Sequence, residues 1–173
     1  MDQSSWDDTL VDVGPPRPFP GDAVSFQSSW DEQQKRSPWK TSRREGRAIS
    51  TVIDTSVIID ILRGLPAAVD YVERLEDVPA CSEITRVEVI QGLRSAERVP
   101  TERLFQQLRW VALDEPIARR AGELGRKWRK SHPGISSPDL IVAATADQLG
   151  AVLATSNVRH FPMFKRLRPP YQG

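Results

Sequence analysis

The feature that most constrains the fold is an alternation of short apolar runs with amphipathic segments, which begins at residue 51. Short apolar runs bounded by turn residues are typical of buried strands, whereas apolar residues at every third or fourth position indicate helices that bury one face. The predicted strands are TVID, PACSEI, WVAL and AVLAT. Because strands that alternate with helices favour a parallel sheet covered on both faces, the predicted fold is a three-layer α/β/α domain.

Helices are predicted in the intervals between these strands. Their segments are SVIIDILRG, residues 66–76, residues 85–95, a stretch capped by Thr101, a long stretch capped by Asp114, and DLIVAATADQLG after Ser137-Pro138. Gly64 and Gly150 are expected to end the first and the last of them. In the third helix we expect Val87, Ile90 and Leu93 to face inward.

Composition changes near residue 50. Residues 1–50 contain many prolines and no periodic apolar stretch, so they cannot bury enough surface to offset the entropy lost on ordering. We therefore expect residues 1–50 to be a disordered or mis-started N-terminal extension, and residues 51–173 to form the folded domain. An alternative is that this extension docks on a groove through its tryptophans, Trp6, Trp30 and Trp39.

The overall composition excludes some classes of protein. A charged fraction of 27%, a net charge of +1 and an isoelectric point near 7.9 exclude a strongly basic protein that coats nucleic acid. The single cysteine, Cys81, can form no internal disulfide, so a reducing, cytoplasmic compartment is expected. No apolar run approaches the roughly 18 residues that a membrane span needs, so no membrane association is expected.

Four polar residues stand at the edges of apolar segments: Asp54 after the first strand, Glu88 within TRVEVIQG, Asp139 at the start of the last helix and Asn157 after the fourth strand. In parallel sheets, ligands bind beyond the carboxyl ends of the strands, so these side chains can face one crevice. Each acid also has a simpler interpretation. Asp54 and Asp139 suit the first turn of a helix, and Glu88 suits an exposed helix position.

A cluster of acidic side chains is typical of a site that binds a hard cation. Carboxylates that repel one another are brought together by Mg²⁺, or by Mn²⁺ as a substitute, because these ions prefer oxygen ligands. The two histidines, His132 and His160, and the lone Cys81 do not form a usable zinc set. These residues therefore predict a metal-dependent site that cleaves phosphodiesters.

Four segments carry a family resemblance: VIDTSVIIDIL, EITRVEVIQGLR, PDLIVAATA and ATSNVRHFPMF. In their order and spacing, residues 51–173 resemble the PIN-domain ribonucleases and, within them, the VapC-type toxins of bacterial toxin–antitoxin pairs. The resemblance implies a parallel-sheet α/β/α fold, Mg²⁺-dependent endoribonuclease activity and a homodimer. It also implies inhibition by a small VapB-type antitoxin whose C-terminal tail enters the active site.

By position, the resemblance makes Asp54 and Asp139 the principal metal ligands and Glu88 the third acid. Asn157 stands where many relatives carry an aspartate, and because an amide brings no charge, a second tightly bound metal is not expected. The residues assigned to catalysis in this way are Asp54, Glu88, Asp139 and Asn157.

Three neighbours of these residues have less certain roles. Thr55 and Thr155 are candidates to orient the acids through hydrogen bonds, although ordinary strand-end threonines explain them equally well. Whether His160 takes part in the site is left open.

The expected reaction is attack by a metal-activated water on an RNA phosphodiester, with Glu88 or Asp139 orienting the nucleophile. Because the fourth acid is missing, a PIN fold that binds RNA or a partner without cutting remains an alternative. We expect a separate antitoxin, rather than the chain's own basic residues 35–47, to cover the acids.

A surface that docks RNA is expected on the helix after Asp114, where bases are opposed by Glu123 alone. A solvated helix face is the competing interpretation. The bases are Arg119, Arg120, Arg126, Lys127, Arg129 and Lys130.

Overall fold

The computed structural model describes residues 49–172, so the predicted extension over residues 1–50 lies almost wholly outside the described residues. The elements run in the order β1 Thr51–Ile53, α1 Thr55–Leu62, α2 Pro66–Glu73, β2 Ala80–Ser82, α3 Glu83–Gly92, α4 Arg98–Phe105, β3 Arg109–Val111, α5 Glu115–Trp128, α6 Ser137–Leu149 and β4 Val152–Ala154. Single 3₁₀ turns at Ser95–Glu97 and Val158–His160 complete the described part. No helix within it has the length and apolarity that crossing a membrane requires.

The four strands form one sheet in the order β3-β2-β1-β4, and the predicted parallel arrangement is confirmed. The strands β2 and β3 follow β1 in the chain and are added one after the other on one side of it. The chain then crosses back, and β4 pairs with the other side of β1. Ile53 is opposite Ala154 in the register, so the residues that follow β1 and β4 leave the sheet side by side. The reversal of strand order at β1 and β4 is where parallel sheets open a crevice for ligands.

Helices cover both faces of this sheet, which confirms the predicted three-layer architecture. Successive side chains of a strand point to opposite faces. Ile53 accordingly belongs to an apolar cluster with buried residues of α1, α2 and α4. Val52 belongs to a second cluster with buried residues of α5 and α6.

Most predicted helix ends are confirmed. Gly64 and Gly150 have φ angles of 69° and 59°, the left-handed conformation in which a side chain would be strained. Asp114 caps α5, because its Oδ1 accepts a hydrogen bond of 3.0 Å from Ile117 N. Thr101, in contrast, does not cap a helix. It is buried inside α4, and its hydroxyl donates to the carbonyl of Glu97, because helical backbone already begins with the preceding 3₁₀ turn.

The orientation predicted for α3 was wrong for Val87 and Ile90, whereas Leu93, just after the helix, packs against the core as predicted. Val87 and Ile90 are each 48% exposed, whereas Thr85 and Val89 are the buried residues of this helix. At about 100° per residue, Thr85, Glu88 and Val89 share one side, and Val87 and Ile90 lie on the other. The inward face of α3 is thus the one that carries Glu88.

Candidate active site

Asp54 is the most buried of the predicted acids, with 6% of its surface exposed. It directly follows β1, and its backbone N–H donates to Ala154 O at 2.9 Å. Although Asp54 occupies the N-cap position of α1, its side chain makes no capping hydrogen bond. Its Oδ2 instead accepts hydrogen bonds from Ser56 Oγ at 2.8 Å and from Thr155 Oγ1 at 2.7 Å. The capping interpretation of this carboxylate is therefore not the one observed.

The two hydroxyls that hold Asp54 are themselves oriented by the backbone. Ser156 N donates to Ser56 Oγ at 3.1 Å, and Asn157 N donates to Thr155 Oγ1 at 2.9 Å. A hydroxyl has one proton to donate. Since each oxygen accepts from a backbone N–H, its own proton is directed to the carboxylate. The loop after β4 therefore fixes the position of Asp54.

Glu88 lies half-buried on α3 and accepts a short hydrogen bond of 2.5 Å from Thr55 Oγ1. Thr55 follows Asp54 in the chain, so this bond ties the end of β1 to α3. Burial raises the pKa of Glu88, the Thr55 hydrogen bond lowers it, and the negative charges of Asp54 and Asp139 raise it further. The three acids thus share one electrostatic environment, and Glu88 is not an ordinary exposed helix residue.

Asp139 serves a structural purpose and also faces the site. Its Oδ2 accepts hydrogen bonds of 2.7 Å from both the backbone N and the Oγ of Ser136, which caps α6. The helix-terminal interpretation is therefore correct for this oxygen. The same Oδ2 lies 3.2 Å from Nδ1 of His160, and the Asp139 side chain is only 15% exposed. His160 therefore contacts one of the acids, and a part for it in the reaction is left open.

Asn157 is linked to the acids through its main chain. Its N–H reaches Thr155, which in turn donates to Asp54. Its side-chain Oδ1 accepts a hydrogen bond of 3.3 Å from Nε of Arg159. A catalytic or metal-binding role for the Asn157 amide stays a prediction.

In each of the three carboxylates, one oxygen accepts the hydrogen bonds and the other is left without one. Within residues 49–172, Oδ1 of Asp54, Oε1 of Glu88 and Oδ1 of Asp139 accept no hydrogen bond. In the same part of the chain, no three His, Cys, Asp or Glu side chains lie close enough to hold a metal ion by themselves. Mg²⁺ usually takes only one or two carboxylates, with water and substrate phosphate completing its shell. The all-oxygen donor set fits that ion, and ligation by the acids stays a prediction.

Sequence reasoning missed two hydroxyls at this site. Ser56 and Ser136 each bind one acid, and only the second had a readable signal. The S-x-x-D spacing from Ser136 to Asp139 is that of a capping box. Nothing in the sequence distinguishes Ser56, which is two residues from Asp54 and meets Thr155 only once β4 lies beside β1.

A second missed feature brings the C-terminal end of the chain to α1. Tyr171 donates its hydroxyl proton to Oδ2 of Asp60 at 2.8 Å, and its ring lies 6.0 Å from that of Tyr71. Burial, the hydrogen bond with Asp60 and the charge of Asp60 raise the pKa of Tyr171, and the charge of Asp54 adds to them. The C-terminal segment is therefore anchored close to the acids.

The basic helix α5 differs from its sequence description. Arg119 pairs with Glu115 at 2.7 Å, and Arg120 pairs with both Glu123 at 3.0 Å and Asp147 at 2.6 Å. Glu123 is thus not the sole opposing acid, because α6 packs antiparallel to α5 and brings Asp147 to Arg120. The N-terminal half of the predicted RNA-docking ridge is largely neutralised.

A parallel sheet with acids at its carboxyl edge, held by hydroxyls from α1, from the cap of α6 and from the residue after β4, defines the class of this protein. The sequence pattern of the PIN domain matches residues 51–167, and the chain belongs to that family. It is similar to two proteins of Mycobacterium tuberculosis. Ribonuclease VapC19 is 44% identical over 124 residues, covering 69% of this chain and 98% of the relative. Ribonuclease VapC10 is 45% identical over 122 residues, covering 69% of this chain and 92% of the relative.

The solved structures include a similar fold in a toxin–antitoxin complex from Klebsiella pneumoniae. The TM-score is 0.61 with 27% sequence identity, and the match covers 71% of this chain and 99% of that chain. The resemblance to VapC-type PIN domains inferred from four sequence segments is confirmed by these relatives.

Proposed function

We propose that this chain is the toxin of a toxin–antitoxin pair and a Mg²⁺-dependent endoribonuclease whose catalytic acids are Asp54, Glu88 and Asp139. The observation that carries the proposal is the set of three carboxylates from three separate elements, each with one oxygen held and the other available. The names of the similar proteins from Mycobacterium tuberculosis support RNA as the substrate.

The cation would be held by Asp54 and Asp139, with Glu88 as the third acid, and Mn²⁺ would substitute for Mg²⁺. When bound, the cation lowers the pKa of water and neutralises charge on the phosphate. The hydroxyls of Ser56 and Thr155 hold Oδ2 of Asp54 and thereby set the direction of Oδ1. Such outer contacts decide how well a site fits its ion.

Glu88 is the residue best suited to orient the nucleophile. Burial raises its pKa, and a more basic carboxylate is a better proton acceptor. Thr55 holds Oε2, so Oε1 would be the oxygen that accepts a proton from the attacking water. Oδ2 of Asp139 is already engaged by the α6 cap and by His160, so Asp139 is more constrained than Glu88.

A second candidate function is a PIN fold that binds RNA or a partner but cuts weakly. The observation that favours it is the Asn157 amide, which is uncharged and engaged with Arg159. The two functions differ in one measurable respect, since binding alone needs no carboxylate oxygen at Asp54.

The partners follow from the same surface. The carboxylate oxygens of Asp54 and Asp139 that accept no hydrogen bond within residues 49–172 suit an arginine of a VapB-type antitoxin, which would form charge-assisted hydrogen bonds with either acid. The Klebsiella neighbour, a toxin–antitoxin complex, supports this partner. The exposed apolar residues Val87 and Ile90 on α3 support a homodimer, since exposed apolar patches mark association surfaces.

The decisive experiment compares Asp54→Asn and Asp139→Asn with Asp70→Asn in an RNA cleavage assay with and without Mg²⁺. Asp70 is an exposed acid of α2 that pairs only loosely with Arg74, at 3.5 Å, so it is a matched control. The two site variants should lose nearly all cleavage while keeping the melting temperature of a folded protein, and EDTA should abolish the activity of the parent. Cleavage by Asp54→Asn at the rate of the control would reject the proposed mechanism, whereas binding of RNA by the parent without Mg²⁺-dependent cleavage would favour the binding function.

A further inference from the structure

The bases of α5 fall into two electrically different halves. Arg119 and Arg120, in the first half, are paired with carboxylates at 2.6 to 3.0 Å. Arg126 and Arg129, in the second half, have no carboxylate partner among residues 49–172. Arg129 instead donates from Nη2 to Ser137 Oγ at 2.7 Å. Positive charge that no acid offsets is therefore concentrated at the C-terminal end of this helix.

That end of α5 lies beside the start of α6, which carries Asp139. Ser137, the partner of Arg129, is the first residue of α6 and is adjacent to Ser136, which holds Asp139. The neutralised end is remote from them, because Arg120 meets Asp147 near the other end of α6. Because the two helices pack antiparallel, the guanidinium groups that have no carboxylate partner within residues 49–172 lie at the end of α6 that carries Asp139.

A cleft of about 500 Å³ runs between α5 and α6 at this position. Its volume is within the roughly 300 to 1,000 Å³ typical of ligand sites. Its walls are mainly apolar, with Leu113, Leu140 and Ile141 among them, and Arg126 and Arg129 also line it. A Cβ placed on Gly122, another lining residue, would meet nothing within 4 Å, so the absence of a side chain there leaves the cleft open.

We propose that the α5–α6 cleft is an RNA-binding subsite, in which Arg126 and Arg129 contact phosphates beside the scissile bond and the apolar walls receive an unpaired base. Guanidinium groups bind phosphate oxygens in pairs, and apolar surfaces accept the faces of any base. A cluster of carboxylates repels a polyanion, so cations next to that cluster have to hold the substrate. The inference takes RNA as ligand from the proposed function, but it does not depend on which residues cut.

The test measures binding of a fluorescent single-stranded RNA oligonucleotide by anisotropy, across a range of salt concentrations. The full chain carries Asp54→Asn throughout so that the RNA stays intact. The subsite variant is Arg126→Gln/Arg129→Gln, and the matched control is Arg74→Gln/Arg119→Gln, which removes the same charge from two residues paired with acids. Each phosphate contact to single-stranded RNA contributes about 0.7 to the slope of log affinity against log salt, so the subsite variant should lose about 1.4.

The control should keep both the affinity and the slope of the parent. Equal losses in the two double variants would reduce the effect to net charge and overturn the subsite. Unchanged affinity together with faster proteolysis of residues 1–32, which carry seven acids, would assign the cleft to that acidic segment instead.

A second pair of variants tests the apolar part of the cleft. Gly122→Leu fills it, whereas Gly122→Ala improves the helix to a similar extent with little added volume. The leucine variant should weaken RNA binding severalfold relative to the alanine variant, with no loss of melting temperature. Equal affinities would exclude the base from the cleft. A failed cleavage mechanism would show as cleavage of the oligonucleotide in the Asp54→Asn background, whereas a failed subsite would show as unchanged binding of intact RNA by the subsite variant.

Discussion

Thr155 donates a hydrogen bond of 2.7 Å to Asp54 across the boundary between β4 and β1, joining two residues that are 101 positions apart in the sequence. Both are buried, and Thr155 has no exposed surface. The first acid of the site is therefore positioned by the last strand of the fold. Its geometry depends on the whole domain being assembled.

Replacing Thr155 with valine should weaken activity without unfolding the protein. Valine keeps the shape but removes the proton that Oδ2 of Asp54 accepts, so the carboxylate loses one of its two restraints. Loss of such an outer contact typically reduces metal affinity or activity about 10- to 100-fold. The measurement is a Mg²⁺ titration of RNA cleavage. Thr145→Val is the control, since Thr145 is equally buried but donates to Ile141 O inside α6. Equal effects of the two substitutions would mean that Thr155 only supports packing.

Glu88→Gln should stabilise the protein in the absence of metal near neutral pH. Burial and the neighbouring acids raise the pKa of Glu88 in the folded state, so the native protein retains this proton to a higher pH than the unfolded chain does. Stability is then lost as the pH rises from the ordinary pKa of glutamate through the raised pKa. The Glu88→Gln variant does not undergo this loss of stability. Its greater stability over the parent should vanish in acid, at a pH below both the ordinary and the raised pKa. Thermal melting across pH measures it, and an advantage that persists in acid would contradict this cause.

The same variant should respond less to Mg²⁺. In the parent, a bound cation offsets the repulsion among the acids, so adding Mg²⁺ should raise the melting temperature. Glu88→Gln has less repulsion to offset and should gain less. An equal Mg²⁺-induced increase in both proteins would place Glu88 outside the influence of the metal.

Asn157→Asp should tighten Mg²⁺ binding by about 1 kcal/mol, the scale of one added charge at partly solvated distances. The hydrogen bond from Arg159 to the amide oxygen indicates that a new carboxylate there would be partly neutralised by this arginine. Adding Arg159→Gln should therefore increase the gain. Titration of cleavage against Mg²⁺ measures both variants, and an unchanged Mg²⁺ requirement in the double variant would remove residue 157 from the site.

Deleting residues 1–48 should leave cleavage close to that of the full chain, because we expect a separate antitoxin to cover the acids. The deletion stops at Ile49, which packs against the cluster of α5 and α6. Cleavage and toxicity on expression are the measurements. A large increase in either would make the N-terminal segment an inhibitor of its own domain.

The sequence by itself determined the classes of element and the places of the candidate acids in them. The periods of its apolar residues are local properties, and they predicted a parallel α/β/α fold with Asp54 at a strand end and Asp139 at a helix start. Prediction failed at α3, where apolar periodicity pointed Val87 and Ile90 inward. The inward side contains Glu88, whose charged form is stabilised there by the hydrogen bond from Thr55. Thr55 lies 33 residues away in the chain, so a local pattern cannot show this partner.

Only the tertiary structure decided which side chains meet. Ser56 and Thr155 share Asp54, His160 contacts Asp139, and Asp147 neutralises Arg120, because of the register of β4 on β1 and of α6 on α5. Hydrogen bonds and ion pairs act over a few ångströms, so a shift of one residue in either register would replace these partners while leaving every local pattern intact.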